Sequence, residues 1–141
     1  MPSQAYSLVQ NTSRYAVLDI GGDDRGAYAL GRFAPAILKE NNYENLFVVN
    51  FHRPLTRNAA DALEILREIE TAGGVPVTGI VNNSNLGEET TVGDIVSTAE
   101  AAQELSRLAG IPVVLTTVRH DLTAQMSGEG LFGMKLQKKY W

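Results

Sequence analysis

Four short apolar runs punctuate the chain, at Tyr15–Leu18, Leu46–Val49, Val77–Val81 and Val113–Leu115. They are rich in Val, Leu and Ile and show little polar alternation, the pattern of strands buried on both faces in a parallel sheet. Between them the spacing becomes helical. From Asp61 to Thr71, Ala62, Leu63, Leu66 and Ile69 form an apolar stripe, while Asp61, Glu64 and Glu68 fall opposite. Thr56 or Asn58 is placed to cap its start. Gly73 and Gly74 stop it and Pro76 prevents its resumption. The next unit repeats that grammar: Ile95, Ala99, Ala102 and Ala109 recur at helical spacing, Gly110 ends the helix and Pro112 precedes a strand.

The stretch from Arg25 to Lys39 also reads as helical, with Leu30, Ala34, Ile37 and Leu38 on one side and a kink or restart expected at Pro35. Residues 2–10 suggest a short helix before the first strand. Residues 122–141 read as an irregular tail, with Gly128, Gly130 and Gly133 ahead of a basic, aromatic end that suits packing on the sheet or, alternatively, an interaction segment. The expectation is a single α/β domain over residues 1–141. Its core is an open parallel sheet of about four or five strands with flanking helices and right-handed crossovers.

Composition narrows the class. A chain of 141 residues with 44% apolar and 20% charged residues is expected to fold as one globule. A net charge of −4 argues against nucleic acid or anionic membrane as a direct partner. There is no cysteine, which excludes disulfides, thiolate nucleophiles and Cys-based zinc sites and fits a cytoplasmic setting. The start carries no basic segment followed by an apolar core, and no apolar run approaches the ~18 residues of a membrane span.

Ligands of open α/β sheets bind beyond the carboxyl ends of the strands, so the residues that follow each apolar run are the candidates. They are Asp19-Ile20-Gly21-Gly22-Asp23-Asp24, then Asn50, then Asn82-Asn83-Ser84-Asn85, then Thr116 and Thr117 with Arg119, His120 and Asp121. Asp19 has the placement of a carboxylate that holds magnesium, directly or through water. Gly22, three positions on, lets a backbone N–H approach a γ-phosphate closely. Strand–Asp–Gly turns also occur in many folds, and Asp23 and Asp24 also suit a turn or a helix cap. An asparagine just past a strand offers one donor and one acceptor to adenine N6 and N7, or simply forms a turn. Thr90 or Thr91 suits a helix N-cap. His52 and His120 have no partner at metal-ligand spacing and read as surface or loop residues. No Gly-x-Ser-x-Gly elbow or Ser-His-Asp order appears.

Taken in order, YAVLDIGGDD, LFVVNFHRPLTR, VTGIVNNSNLGEETT and IPVVLTTVRHDL resemble the later strands of the MinD/ParA/CobQ class of P-loop ATPases, in particular a MinD-like ATP-binding group. The resemblance runs from about Tyr6 to the lysine-rich end. It implies that Asp19 is the Walker B carboxylate, a catalytic and metal-side residue with Asp23 beside it, and that Gly22 is the switch glycine. It implies that Asn82, with Asn83 next to it, contacts the adenine. Thr116 to Asp121, including Thr117, would form the far wall of the base pocket. Asn50 with Pro54, Thr56 and Arg57 matches a strand-to-helix turn of the family. ATP and Mg2+ are the implied cofactors.

The chain departs from the family in one motif. It has no Gly-x-x-x-x-Gly-Lys-Ser/Thr loop, whose N–H groups and lysine hold the β- and γ-phosphates. The resemblance therefore implies a missing N-terminal part, with Met1 falling mid-chain: a truncated reading frame, a deliberate fragment or one half of a split protein. Weak nucleotide binding and no hydrolysis are expected of this chain alone. Asp19, Asp23 and Asp24 would repel a triphosphate lacking magnesium. Strand edges and a sheet face left uncovered favour a homo-oligomer or a complementary N-terminal fragment as partner. Two other functions fit the same residues: a non-catalytic binding or regulatory module that keeps the fold, and an enzyme of an unrelated doubly wound fold.

Overall fold

The computed structural model describes residues 16–21, 24–84, 91–119 and 131–134. The elements in chain order are α1 (Asp24–Gly31), α2 (Ala34–Glu40), β1 (Leu46–Val49), α3 (Ala59–Gly73), β2 (Gly79–Asn82), α4 (Val92–Ala109), β3 (Val113–Arg119) and β4 (Leu131–Met134), with a 3-10 turn at Pro54–Thr56. This is an α/β arrangement of helices with a small, open parallel sheet. Its strand order is β1-β2-β3-β4 and every described pairing is parallel. The chain divides into two compact units, Met1–Asn45 with Leu66–Val77, and Leu46–Ile65 with Thr78–Trp141.

The first unit holds α1 and α2. Pro35 ends the longer helical pattern and restarts it, occupying the first turn of α2, where a missing N–H costs nothing. Leu30, Ala34 and Val75 form a buried cluster, with Ile20, Ile37 and Tyr43 packed against it. Asn45 ties this unit internally by donating its Nδ2 to the Val75 carbonyl at 3.1 Å.

Here the structure corrects the sequence. Tyr15–Leu18 was the first expected strand, yet Ala16–Gly21 carries no strand. Exposure alternates along it: Leu18 and Ile20 are half-buried, whereas Val17 is 84% exposed and Asp19 is exposed. The segment is therefore anchored on one side, through Ile20. Four apolar residues do not distinguish that situation from a strand buried on both faces, because strand formation depends on distant pairing partners.

The second unit holds the sheet and α4. The helix starts at a capping box: Thr91 Oγ1 accepts the Asp94 N–H at 3.2 Å, and the Asp94 carboxylate accepts the Thr91 N–H at 3.0 Å. It ends at Gly110, whose φ of 72° is open to glycine at little cost. α4 packs on β2 and β3, with Ile95 and Val118 buried together and Val92 and Leu131 against them. The other sheet face is barer. Leu46, Val48 and Val114 are exposed there, with Gly79 between Leu46 and Val114.

The α3 boundaries extend the sequence expectation at both ends. Asn58, not Thr56, caps the helix by accepting the Asp61 N–H at 2.8 Å. Thr56 instead sits buried in the preceding turn. Gly74, at φ 71°, provides the left-handed stop. The tail of residues 122–141, expected to be irregular, contributes β4.

Candidate functional site

The carboxyl ends of β1 and β2, with Thr117 of β3 beside them, bring a set of polar side chains to one edge of the second unit. At the end of β1, Asn50 forms a local turn: its Oδ1 accepts the His52 N–H at 2.9 Å, and its carbonyl accepts the Thr56 hydroxyl at 2.6 Å. Asparagine suits this place because its carboxamide replaces a missing backbone acceptor. The ends of β1 and β2 are then joined by the Asn83 N–H donating to the Val49 carbonyl at 2.8 Å.

A directional chain of hydrogen bonds runs through the site. The Phe51 N–H donates to Ser84 Oγ at 2.8 Å, and that hydroxyl donates to Asn82 Oδ1 at 2.6 Å. Asn82 Nδ2 reaches Thr98 Oγ1 at 3.5 Å, and Thr98 donates to the Ile95 carbonyl at 3.1 Å. Asn82 is only 1% exposed. A buried carboxamide is tolerated because its oxygen and nitrogen both have partners. A second bridge lies beside it, where the Thr117 hydroxyl donates to Asn83 Oδ1 at 2.6 Å.

Electrostatics at this edge centre on the start of α4. The Asp94 carboxyl is held below the ordinary aspartate value, first by the hydrogen bond from the Thr91 backbone, then by the Thr91 hydroxyl, with a smaller contribution from the charge of His52. His52 is half-buried, and its Nε2 is buried without a hydrogen-bond partner. His52 lies in the turn after β1, as a loop residue was expected to, but half-buried there and not on the open surface.

Of the residues singled out from sequence, the structure brings Asn82, Asn83 and Thr117 together. Asn82 faces inward, into the network with Ser84 and Thr98, while Asn83 is half-buried and joined to Thr117. Thr116 and Thr117 lie within β3, which continues to Arg119. Asp19 belongs to the other unit and is exposed. Gly22, Asp23, Asn85, His120 and Asp121 lie outside the described residues. Among the described residues no three His, Asp or Glu side chains cluster as metal ligands.

Sequence reasoning underused Ser84 and Thr98. A signal for Thr98 is present: it is a polar residue three positions after Ile95 and four before Ala102, on the buried stripe of α4. Comparison of the chain with family models, curated proteins and solved structures returns no match. No helix among the described residues is long and apolar enough to cross a membrane.

Proposed function

We propose that the chain is a nucleotide-binding domain of the MinD/ParA kind, with the base side of an ATP site at the carboxyl edge of β2 and β3. The observation that supports this reading is that Asn50 and Asn83 follow the ends of the paired strands β1 and β2, and that Asn83 is bonded to Thr117 of the neighbouring β3. That edge is the usual ligand position of open α/β sheets. Asn83 and Thr117 form the rim next to the base, while the Asn82 carboxamide is engaged inward with Ser84 and Thr98. ATP is the proposed ligand. Asp19, which belongs to the first unit, and Asp23, which lies outside the described residues, are given no part in this edge. With no Gly-Lys-Ser/Thr loop in this sequence, the affinity of this chain alone is weak and hydrolysis absent.

The test is a titration with Mg-ATP followed by nuclear magnetic resonance and calorimetry. Saturation in the millimolar range, with signals of Asn83 and Thr117 shifting and Asn83→Ala weakening the binding, is the expected result. Unmoved signals at both residues would remove the proposal, and micromolar affinity would remove the claim of weakness.

A second reading is a non-catalytic binding module that keeps the fold. It is favoured by the internal use of the Asn82 carboxamide and by the strandless segment that carries Asp19. Adding a separate phosphate-loop fragment separates the two readings: restored hydrolysis supports the ATPase. The exposed Leu46, Val48 and Val114 support a further proposal, that the sheet face joins two copies. A monomer by light scattering at high concentration counts against it.

A further inference from the structure

The first unit carries a hollow of about 350 Å³ lined by Arg25, Tyr28, Ala29, Arg32 and Phe33. The spacing explains why they share a surface, since positions three, four and seven residues apart fall on one side of a helix. Phe33 is buried, whereas Tyr28 is 67% exposed and its ring is open to a ligand. Both arginines are exposed. Among the described side chains neither Arg25 nor Arg32 has an acidic partner, although this chain carries a net charge of −4. Two exposed guanidinium groups therefore flank an open aromatic ring, and among the described residues no acidic side chain lines the hollow.

We infer that this hollow binds a phosphate monoester carrying a flat ring. Arg25 stands in the first turn of α1 and Arg32 directly after its last residue, a spacing of about 10 Å at 1.5 Å per helical residue that two long side chains can span toward one group over Ala29. A guanidinium offers a planar fork that pairs with two oxygens of an anion. One fork occupies both oxygens of a carboxylate. A phosphate monoester has three free oxygens, enough to engage two forks at once, which favours it over a carboxylate. The exposed Tyr28 ring supplies a stacking surface for the ester's flat group. The volume lies at the small end of ligand pockets and suits a ligand of this size. This site is separate from the proposed ATP edge, which the second unit carries.

The experiment is calorimetry on the full chain with four probes: phenyl phosphate, adenosine monophosphate, inorganic phosphate and phenol. Phenyl phosphate, and adenosine monophosphate measured on the Asn83→Ala chain, should bind at least tenfold more tightly than inorganic phosphate or phenol, and the better of the two identifies an aryl or a nucleoside source. Arg25→Ala with Arg32→Ala should weaken both esters at least tenfold. Tyr28→Ala should bring phenyl phosphate down to the level of inorganic phosphate. Asn83→Ala should leave phenyl phosphate binding unchanged, which separates this site from the sheet edge. All three replaced residues of the hollow are exposed, and circular dichroism verifies that the variants fold. Equal binding of phenyl phosphate and inorganic phosphate by the unaltered chain, or ester binding indifferent to the arginine pair, overturns the inference.

Discussion

The Thr117 hydroxyl donates to Asn83 Oδ1 at 2.6 Å, linking the end of β2 to the middle of β3. Parallel strands share only backbone bonds along their ladder, so this side-chain bridge fixes the rim independently of the sheet. Thr117→Val keeps the branched shape and removes the donor. It is expected to lower stability by about 1 kcal/mol, measured by urea unfolding. If Asn83 and Thr117 form the rim of a ligand site, the same variant loses Mg-ATP-induced shifts at Asn83 while retaining the fold.

Ser84 holds two partners at once, accepting the Phe51 N–H and donating to Asn82. Ser84→Ala therefore strands a backbone donor and a buried carboxamide oxygen. The expected cost is about 1–3 kcal/mol, well above that of an exposed serine. Asn82→Ala combined with Ser84→Ala should cost less than the sum of the singles, with a coupling of about 0.5–3 kcal/mol. Strict additivity in a double-mutant cycle would show that the network carries no energy of its own.

The α4 capping box makes a pH prediction. Asp94 has a folded pKa below its ordinary value, chiefly through Thr91 and in smaller part through His52. A group with a lowered folded value binds its proton more readily when unfolded. Its stabilisation is thus complete above the ordinary aspartate range and is lost as pH falls through the lowered folded value. Asp94→Asn should flatten the acid limb of the stability curve measured by urea unfolding at a series of pH values. Thr91→Ala should cost about 1 kcal/mol at neutral pH and flatten the same limb. An acid limb identical to that of the unaltered chain would show that other carboxylates carry it.

Helix ends were legible because capping is local. Asn58, Thr91, Gly74 and Gly110 act within a few residues of their own positions, and the residues themselves announce it. Strands are decided by partners far along the chain. Leu46–Val49 and Val113–Leu115 found them, whereas the apolar run ending at Leu18 did not. β4 was hidden because Gly133 lies inside it and glycine weakens a strand pattern. The candidate site was legible as residues on an edge, and Asn83 and Thr117 met there. The inward turn of Asn82 was not, because it depends on Ser84 and Thr98, and the bond to Thr98 spans sixteen residues.

Two helical glycines should respond in opposite directions to alanine. Alanine is the better helix former by about 1 kcal/mol, so replacement gains stability wherever the added methyl has room. At Gly93, in the first turn of α4, the nearest atom to that methyl is Thr91 Oγ1 at 3.7 Å, an ordinary contact. Gly93→Ala is expected to be neutral or stabilising. At Gly26, in α1, the methyl would lie 2.2 Å from the Gly21 carbonyl oxygen and 2.9 Å from its carbon and nitrogen. These are backbone atoms, which no side-chain rotation moves aside. The Ala16–Gly21 segment must then shift, and Ile20 with it, away from the Leu30–Ala34–Val75 cluster. Gly26→Ala is expected to cost about 1–3 kcal/mol despite the better helix propensity, and to speed amide exchange at Leu18 and Ile20. A Gly26→Ala protein with unaltered exchange at those residues and a stability gain like that of Gly93→Ala would show that the segment does not rest on α1.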